Sequence, residues 1–129
     1  MPVEESSTAI EVARAHVDAW SRHDWDAARE RLAEDVHVVA MTTQPFMKDT
    51  DLVGVEDYMR GLEEFAGAVV PGSAVFGTMV GDASNALLTV TVRARFGPGG
   101  EEVTLPAARL YLLDERQRIV SERVVFFTA

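Results

Sequence analysis

The stretch ALLTVTVRARF, residues 86–96, decides the fold of this chain. Its apolar side chains recur at every second position, which are Leu88, Val90, Val92, Ala94 and Phe96. The intervening positions from Thr89 to Arg95 are threonine or arginine. A period of two is typical of a β-strand with one face buried and one face exposed. We therefore predict a strand here, and its apolar face has to be covered by other elements.

Turn residues and further strand patterns surround this strand. Gly97-Pro98-Gly99-Gly100 is the strongest turn signal in the chain, and Gly81–Asn85 and Asp114–Arg118 are weaker ones. Between these turns the pattern predicts three more strands, at residues 73–80, 102–113 and 119–128. Consecutive strands joined by short turns form an antiparallel meander.

The first half of the chain has helical spacing instead. Thr8 and Glu11 have the spacing of a capping box, and apolar residues from Ile10 to Trp20 then recur at helical intervals, with His16 on the same face. Asp24 can cap a short second helix, which we predict to end at Glu34-Asp35.

A strand, a loop and a third helix complete the first half. Residues 36–41 are rich in β-branched side chains and predict a strand, whereas residues 42–54 are polar, include Pro45 and predict a loop. A third helix is predicted from Val55 through Val69, before Pro71-Gly72. The fold class is therefore α+β: three N-terminal helices packed on a curved antiparallel sheet, forming a cone with an internal apolar pocket, in one domain over residues 1–129.

Composition excludes several classes of function. The net charge of -9 disfavours nucleic acids and anionic membranes as partners, because both are polyanions. The absence of cysteine excludes disulfides and thiolate chemistry, and the three histidines lack metal-ligand spacing, so we expect no metal and no cofactor. The N-terminus does not have the pattern of a signal peptide, which favours a cytoplasmic protein.

Three stretches resemble the opening of the nuclear-transport-factor-two-like superfamily: AHVDAW at 15–20, HDWDAA at 23–28 and LAEDV at 32–36. LVGVE at 52–56 and RIV at 118–120 extend the resemblance over nearly the whole chain. The superfamily includes ketosteroid isomerases, SnoaL-type polyketide cyclases, limonene epoxide hydrolase, scytalone dehydratase and non-catalytic binding proteins. The resemblance implies a cone-shaped fold, a small apolar ligand and a homodimer packed through the outer sheet face.

Aligned with ketosteroid isomerase, the chain departs from its catalytic pattern. His16 stands where the isomerase has an oxyanion-binding tyrosine, Ala40 where it has the catalytic aspartate, and Arg109 where it has a protonated aspartate. The SnoaL-type cyclases carry a histidine and an acidic residue on the last two strands, roughly where this chain has Arg109 and Glu122. Isomerisation by the isomerase mechanism is therefore not expected, since Ala40 cannot abstract a proton.

Strand alternation then predicts which side chains share the pocket. If Arg109 points inward, Tyr111 on the same strand and Glu122 and Phe126 on the last strand do so too. The candidate catalytic residues are His16, Arg109 and Glu122. The candidate ligand-binding residues are Trp20, Val38, Ala40, Tyr58, Leu62, Val90, Val92, Tyr111 and Phe126.

Two classes of function remain open. A carboxylate held by an arginine in an apolar pocket suits acid–base work on a carbonyl compound, with His16 as donor or proton shuttle, which favours a cofactor-free cyclase, isomerase or dehydratase. The alternative is a non-catalytic module for ligand binding or dimerisation, in which Arg109 and Glu122 form only a cross-strand salt bridge. An epoxide hydrolase is the weakest possibility, because it needs further acidic residues inside.

Overall fold

The elements follow one another in the order that the sequence predicts, with one strand added. The computed structural model describes residues 7–44, 47–96 and 98–127. The helices are α1 (Thr8–Ser21), α2 (Trp25–Glu30) and α3 (Val55–Ala66), and Pro98–Gly100 forms a 3₁₀ turn. The strands are β1 (Leu32–Thr42), β2 (Thr50–Val53), β3 (Val75–Gly81), β4 (Asn85–Ala94), β5 (Val103–Leu113) and β6 (Ile119–Phe126).

All six strands form one curved sheet in the order β2-β1-β6-β5-β4-β3. Four of the five neighbouring pairs are antiparallel, and β1 lies parallel to β6. The parallel pair attaches the first half of the chain to its last strand. The predicted α+β class, with three helices packed on a curved sheet, is confirmed.

The strand register sets which side chains share the covered face of the sheet. Val38, Glu122, Tyr111 and Ala86 lie side by side across β1, β6, β5 and β4. The next row toward the ends of β1 and β6 is Ala40, Val124, Arg109 and Leu88. Arg109 and Glu122 are both buried on the face that the helices cover, which is the inward one of the two registers that the sequence left open.

Side-chain caps fix where α1 and α2 begin. Ser7 caps α1 by accepting a hydrogen bond from the backbone N–H of Ile10, so the capping box predicted for Thr8 and Glu11 is wrong by one residue. Asp24 caps α2 by accepting from the N–H of Ala27, as predicted. Helix α1 packs on α2 and β4 and buries Trp20 completely.

Sheet pairing overrides two of the predicted boundaries. Helix α2 stops at Glu30 rather than at Glu34-Asp35, because Leu32 already pairs with Ile119 of β6. The predicted loop at 42–54 contains β2, because Thr50–Val53 pairs with His37–Ala40 on the edge of β1. Pro45 of that loop lies outside the described residues.

The remaining differences concern the ends of elements. Helix α3 ends at Ala66, and Val69, predicted as its last apolar position, instead forms an isolated bridge with Ala94. Strand β3 begins at Val75 instead of residue 73. Gly97 of the predicted turn and Thr128 of the last predicted strand lie outside the described residues. Over the described part of the chain, no helix has the length and apolar character needed to cross a membrane.

Candidate functional site

Four polar side chains from four different elements meet inside the cone. His16 comes from α1, Tyr58 from α3, Arg109 from β5 and Glu122 from β6. Their exposed fractions are 0%, 3%, 5% and 2%, so all four are withdrawn from water. Burying such groups costs free energy unless each one finds a partner, and their pairing therefore determines what the cluster can do.

Arg109 and Glu122 form a buried ion pair. Nη1 of Arg109 lies 3.2 Å from Oε2 of Glu122. The two residues are diagonal neighbours on the sheet, because Arg109 is opposite Val124 and Tyr111 is opposite Glu122. The sequence left open whether this pair would be a cross-strand salt bridge or a carboxylate held by an arginine inside the fold. Its geometry fits both, because the salt bridge joins two strands and lies on the covered face.

Aromatic rings surround the guanidinium group. Cζ of Arg109 lies 4.8 Å from the ring centroid of Trp20, 5.6 Å from that of Phe126 and 6.0 Å from that of Phe65. The negative faces of aromatic rings attract a cation, and this attraction is strongest where water is excluded. The rings therefore hold the cation in place while leaving its N–H groups available for hydrogen bonds.

A chain of hydrogen bonds continues from Glu122 to the backbone of α2. The hydroxyl group of Tyr58 donates to Oε1 of Glu122, and its oxygen lies 2.9 Å from Nε2 of His16. On the other side of the imidazole ring, Nδ1 donates to the carbonyl oxygen of Ala28 at 2.9 Å. Helix α2 thereby fixes the orientation of the His16 ring.

Three buried polar atoms beside this chain have no hydrogen-bond partner among the described residues. They are Nε1 of Trp20, Nε of Arg109 and the hydroxyl oxygen of Tyr111. The Tyr111 hydroxyl lies near enough to Glu122 and Arg109 for both their charges and weak hydrogen bonds with them to shift its pKa, although neither contact has a standard hydrogen-bond geometry. All three groups can donate, so the cluster has an excess of donors over acceptors.

Burial is the largest influence on the pKa values of His16, Tyr58 and Tyr111. It lowers the pKa of His16, against the opposing charge of Glu122, which raises it. It raises the pKa of Tyr58 and of Tyr111 well above 10.0, and the negative charge of Glu122 adds to both shifts. Burial also works against the charge on Arg109, but Tyr111, Glu122 and Tyr58 outweigh it and the pKa of Arg109 is raised.

The predicted lining residues lie around this cluster. Seven are buried, and two are half-buried. The buried ones are Trp20, Val38, Tyr58, Val90, Val92, Tyr111 and Phe126, and the half-buried ones are Ala40 and Leu62. All nine belong to, or pack against, one cluster of buried side chains.

Sequence reasoning missed Phe65 and the central position of Tyr58. The ring of Phe65 lies 5.7 Å from that of Trp20 and 5.5 Å from that of Phe126, measured between centroids. Tyr58, Leu62 and Phe65 are spaced four and three residues apart on α3, so the helical pattern already placed them on one face. That Tyr58 lies between His16 and Glu122 could not be read from spacing, because it depends on how α1 and α3 are placed over the sheet.

The surface of the protein also carries a groove of about 640 Å³ beside α2 and the start of α3. Charged side chains line much of it, including Asp26, Glu30, Glu34 and Arg118, and it contains none of the predicted site residues. In the part of the chain that the structure describes, no cluster of three or more histidine, aspartate or glutamate side chains is arranged to hold a metal ion.

Comparisons with known proteins agree with this architecture. A Jannaschia sp. protein that is described as a proposed SnoaL-like polyketide cyclase superposes with a TM-score of 0.74 at 15% identity, over 98% of this chain and 88% of the other. A Mycobacterium tuberculosis protein in complex with estradiol-17β-hemisuccinate superposes with a TM-score of 0.71 at 12% identity, over 92% of this chain and 93% of the other. An LEH-like epoxide hydrolase from the same organism superposes with a TM-score of 0.70 at 20% identity, over 97% of this chain and 85% of the other.

At these identities the solved structures establish the fold alone. No protein with a curated description matches the sequence significantly. The family model of the SnoaL-like domain, however, matches residues 13–122, which include all four members of the buried cluster. The chain therefore belongs to the SnoaL-like domain family.

Proposed function

We propose that the protein is a cofactor-free enzyme that moves a proton on a small hydrophobic carbonyl compound, with Glu122 as the acid or base. The observation that carries this proposal is the Arg109–Glu122 ion pair, buried among aromatic rings beside three unpaired donors. A cluster of this kind combines a proton acceptor, a fixed cation and groups that can hold an oxygen atom.

The energetics of the cluster support a role beyond stability. Removing two charges from water costs several kcal/mol per ion, which the attraction between them recovers only in part. Each unpaired buried donor costs a further 1–3 kcal/mol or so. A bound oxygen acceptor would satisfy Trp20 Nε1, Tyr111 or Arg109 Nε, and native structures rarely leave such groups unsatisfied.

The proposed reaction follows from the positions of these groups. The Glu122 carboxylate removes a proton from the carbon next to the carbonyl group, so that a C–H bond breaks and an O–H bond forms on the carboxyl group. The electron pair moves to the carbonyl oxygen, and the resulting enolate accepts hydrogen bonds from the unpaired donors. Return of the proton to another carbon gives isomerisation. Attack of the enolate carbon on a second carbonyl group forms a C–C bond and an alkoxide, which takes the proton back from Glu122, and this gives cyclisation.

The surroundings limit the substrate to a flat, apolar molecule. Rings of Trp20, Phe65 and Phe126 form the walls around Arg109, and such walls pack well against planar carbon skeletons. The steroid ester bound by the M. tuberculosis relative and the cyclase name of the Jannaschia relative are consistent with this class. Leu62 and Phe65 are half-buried and pack against this core, so we propose that a ligand enters by displacing their side chains.

Deuterium exchange of a model ketone tests this proposal. The rate at which β-tetralone exchanges its α-protons in deuterium oxide is followed by proton NMR, with the wild type and with Glu122→Gln. We expect the variant to lose about 100-fold or more of the exchange rate. Glu102→Gln is the matched control, since Glu102 pairs with Arg93 on the surface. Wild-type exchange no faster than in buffer, or exchange unchanged in folded Glu122→Gln and Glu122→Asp, would reject the proposal.

A second candidate function is ligand binding without turnover. It is supported by Ala40, which has no group to abstract a proton, and by Glu122 being the only fully buried carboxylate among the residues described. In that case β-tetralone quenches tryptophan fluorescence and protects the protein from thermal unfolding, but its α-protons do not exchange faster than in buffer.

We also propose that the protein is a homodimer formed through the outer face of β5 and β6. That face exposes Leu110, Leu112 and Val125 at 48%, 42% and 37% of their surfaces. Leu110 and Leu112 lie two residues apart on the same face of β5. Val125 of β6 lies diagonally beside Leu110, because it is opposite Ala108. Adjacent exposed apolar side chains on a sheet face favour association.

A further inference from the structure

The hydrogen bonds that join Ala28, His16, Tyr58 and Glu122 impose a requirement on their protons. The Ala28 carbonyl can only accept, so Nδ1 of His16 carries a proton. The other nitrogen, Nε2, faces the hydroxyl oxygen of Tyr58 at 2.9 Å, and that oxygen also faces Oε1 of Glu122. Each of these three hydrogen bonds needs one proton between its two heavy atoms.

The ordinary neutral-pH forms of the three side chains do not supply enough protons. A neutral imidazole contributes one proton and a phenol contributes one, whereas a carboxylate contributes none. With only those protons, Tyr58 can donate to Glu122 or to His16 but not to both. One buried junction would then hold two facing lone pairs, which the low dielectric of the interior makes costly.

We propose that His16, Tyr58 and Glu122 together hold one proton more than a neutral imidazole, a phenol and a carboxylate contain, and that Tyr58 passes this proton between His16 and Glu122. The extra proton completes all three hydrogen bonds. It also gives the phenol, which a spacing argument assigns only to the pocket wall, a role as a relay.

The relay interconverts two protonation forms of the unit that contain the same number of protons. In the first form His16 is an imidazolium, its Nε2–H donates to Tyr58, and Tyr58 donates to the Glu122 carboxylate. In the second form the Nε2–H bond has broken, an O–H bond has formed on Glu122, and Glu122 donates to Tyr58, which donates to Nε2. Two protons shift in the same direction, and the phenol remains a phenol throughout.

Charged and titratable groups outside the unit also act on it. Arg109 and Tyr111 face it from β5, and the charge of Arg31, between α2 and β1, also reaches His16. Burial and the two arginines oppose an additional positive charge, whereas Glu122 and the Ala28 carbonyl favour it. Because the three groups are linked by hydrogen bonds, a proton held by the unit is shared among them and belongs to no single residue.

The use of this proton in turnover rests on the proposed function. A substrate whose oxygen must be protonated, such as a β-hydroxy ketone that loses water, would meet Glu122 in its acid form. A substrate that must lose an α-proton would meet Glu122 as a carboxylate in the other form. The proton count itself stands on the hydrogen-bond geometry and does not require that the protein be an enzyme.

Two spectroscopic measurements on the wild type at neutral pH locate the proton. The ¹⁵N NMR shifts of His16 report the fraction of imidazolium, with its signals assigned by elimination using His23→Gln and His37→Gln. The infrared difference between the wild type and Glu122→Gln reports the fraction of protonated carboxyl group. We expect the two fractions to add up to about one proton per chain, because the three groups share it.

Two variants sharpen this test. Tyr58→Phe is expected to abolish both signals and to leave a neutral His16 with its proton on Nδ1, whereas Tyr111→Phe is expected to retain them. A neutral His16 together with a fully ionised Glu122 in the wild type would overturn the proposal, whatever the variants show. Neither measurement needs a substrate, so failure here is distinct from failure of the ketone-exchange experiment.

Discussion

At the scale of single residues, some buried polar groups inside the cone have hydrogen-bond partners, and others have none among the described residues. Tyr58 and Tyr111 are both buried phenols, but Tyr58 joins His16 to Glu122 and Tyr111 has no hydrogen-bond partner among the described residues. Removing a hydroxyl group that has no partner removes a desolvation cost, whereas removing one that joins two partners leaves those partners unsatisfied.

Tyr111→Phe should therefore leave the protein as stable as the wild type or more stable by about 1 kcal/mol at neutral pH. Tyr58→Phe, the matched variant, should lose about 1–3 kcal/mol. Urea denaturation followed by tryptophan fluorescence measures both. A Tyr111→Phe protein less stable than Tyr58→Phe would contradict the assignment of the unpaired hydroxyl group.

The same pair of phenols predicts how stability changes at alkaline pH. Burial raises both pKa values well above 10.0, so in the unfolded chain the phenols lose their protons first. The folded state then binds more protons than the unfolded state, and the free energy of unfolding falls as the pH rises above about 10. Because the chain has two tyrosines, Tyr111→Phe should make this decline shallower, and an unchanged slope would count against the burial of Tyr111 as a phenol.

At the scale of secondary-structure elements, periodicity predicts the faces of strands and helices better than it predicts their ends. The alternation in β4 follows from a strict period of two, and the same period places Arg109 on one face with Tyr111, and Glu122 on one face with Phe126. The end of α2 and the existence of β2 do not, because both depend on pairing with residues far away in the chain. Local patterns contain no information about those partners.

Strand β5 is apolar on both faces, which alternation alone could not interpret. Arg109 and Tyr111 point into the cone, and Leu110 and Leu112 point outward and are exposed. On β4, alternation places Thr89, Thr91 and Arg93, followed by Arg95, on the outer face. Arg93 and Arg95 in fact lie beside Glu102, so the apolar part of that face is on β5 and β6.

This outer face predicts the oligomeric state. The wild type should sediment as a dimer, and Leu110→Glu should shift it toward the monomer because it places a charge in the proposed interface. Val53→Glu is the control, since Val53 is 62% exposed on the short edge strand β2. A monomeric wild type, or equal dissociation by both variants, would contradict the proposed interface.

At the scale of the whole molecule, the sequence predicted the fold better than it predicted the arrangement of the buried polar side chains. The position of His16 follows from the apolar face of α1, whereas alternation left open which face of the sheet Arg109 and Glu122 occupy. The chain from His16 through Tyr58 to Glu122 appears only when α1, α3 and β6 are packed together. No periodic pattern within a single element could predict it.

The central claim is that the buried pair of Arg109 and Glu122 is retained for chemistry and not for stability. The most direct test is the free energy of unfolding of the double variant Arg109→Met/Glu122→Leu. Replacing both charges with apolar side chains of similar size should keep the stability of the wild type or raise it by about 1–4 kcal/mol, while the exchange of β-tetralone is lost. A double variant less stable than the wild type by about 3 kcal/mol or more would contradict the claim, because the ion pair would then be a structural element of the fold.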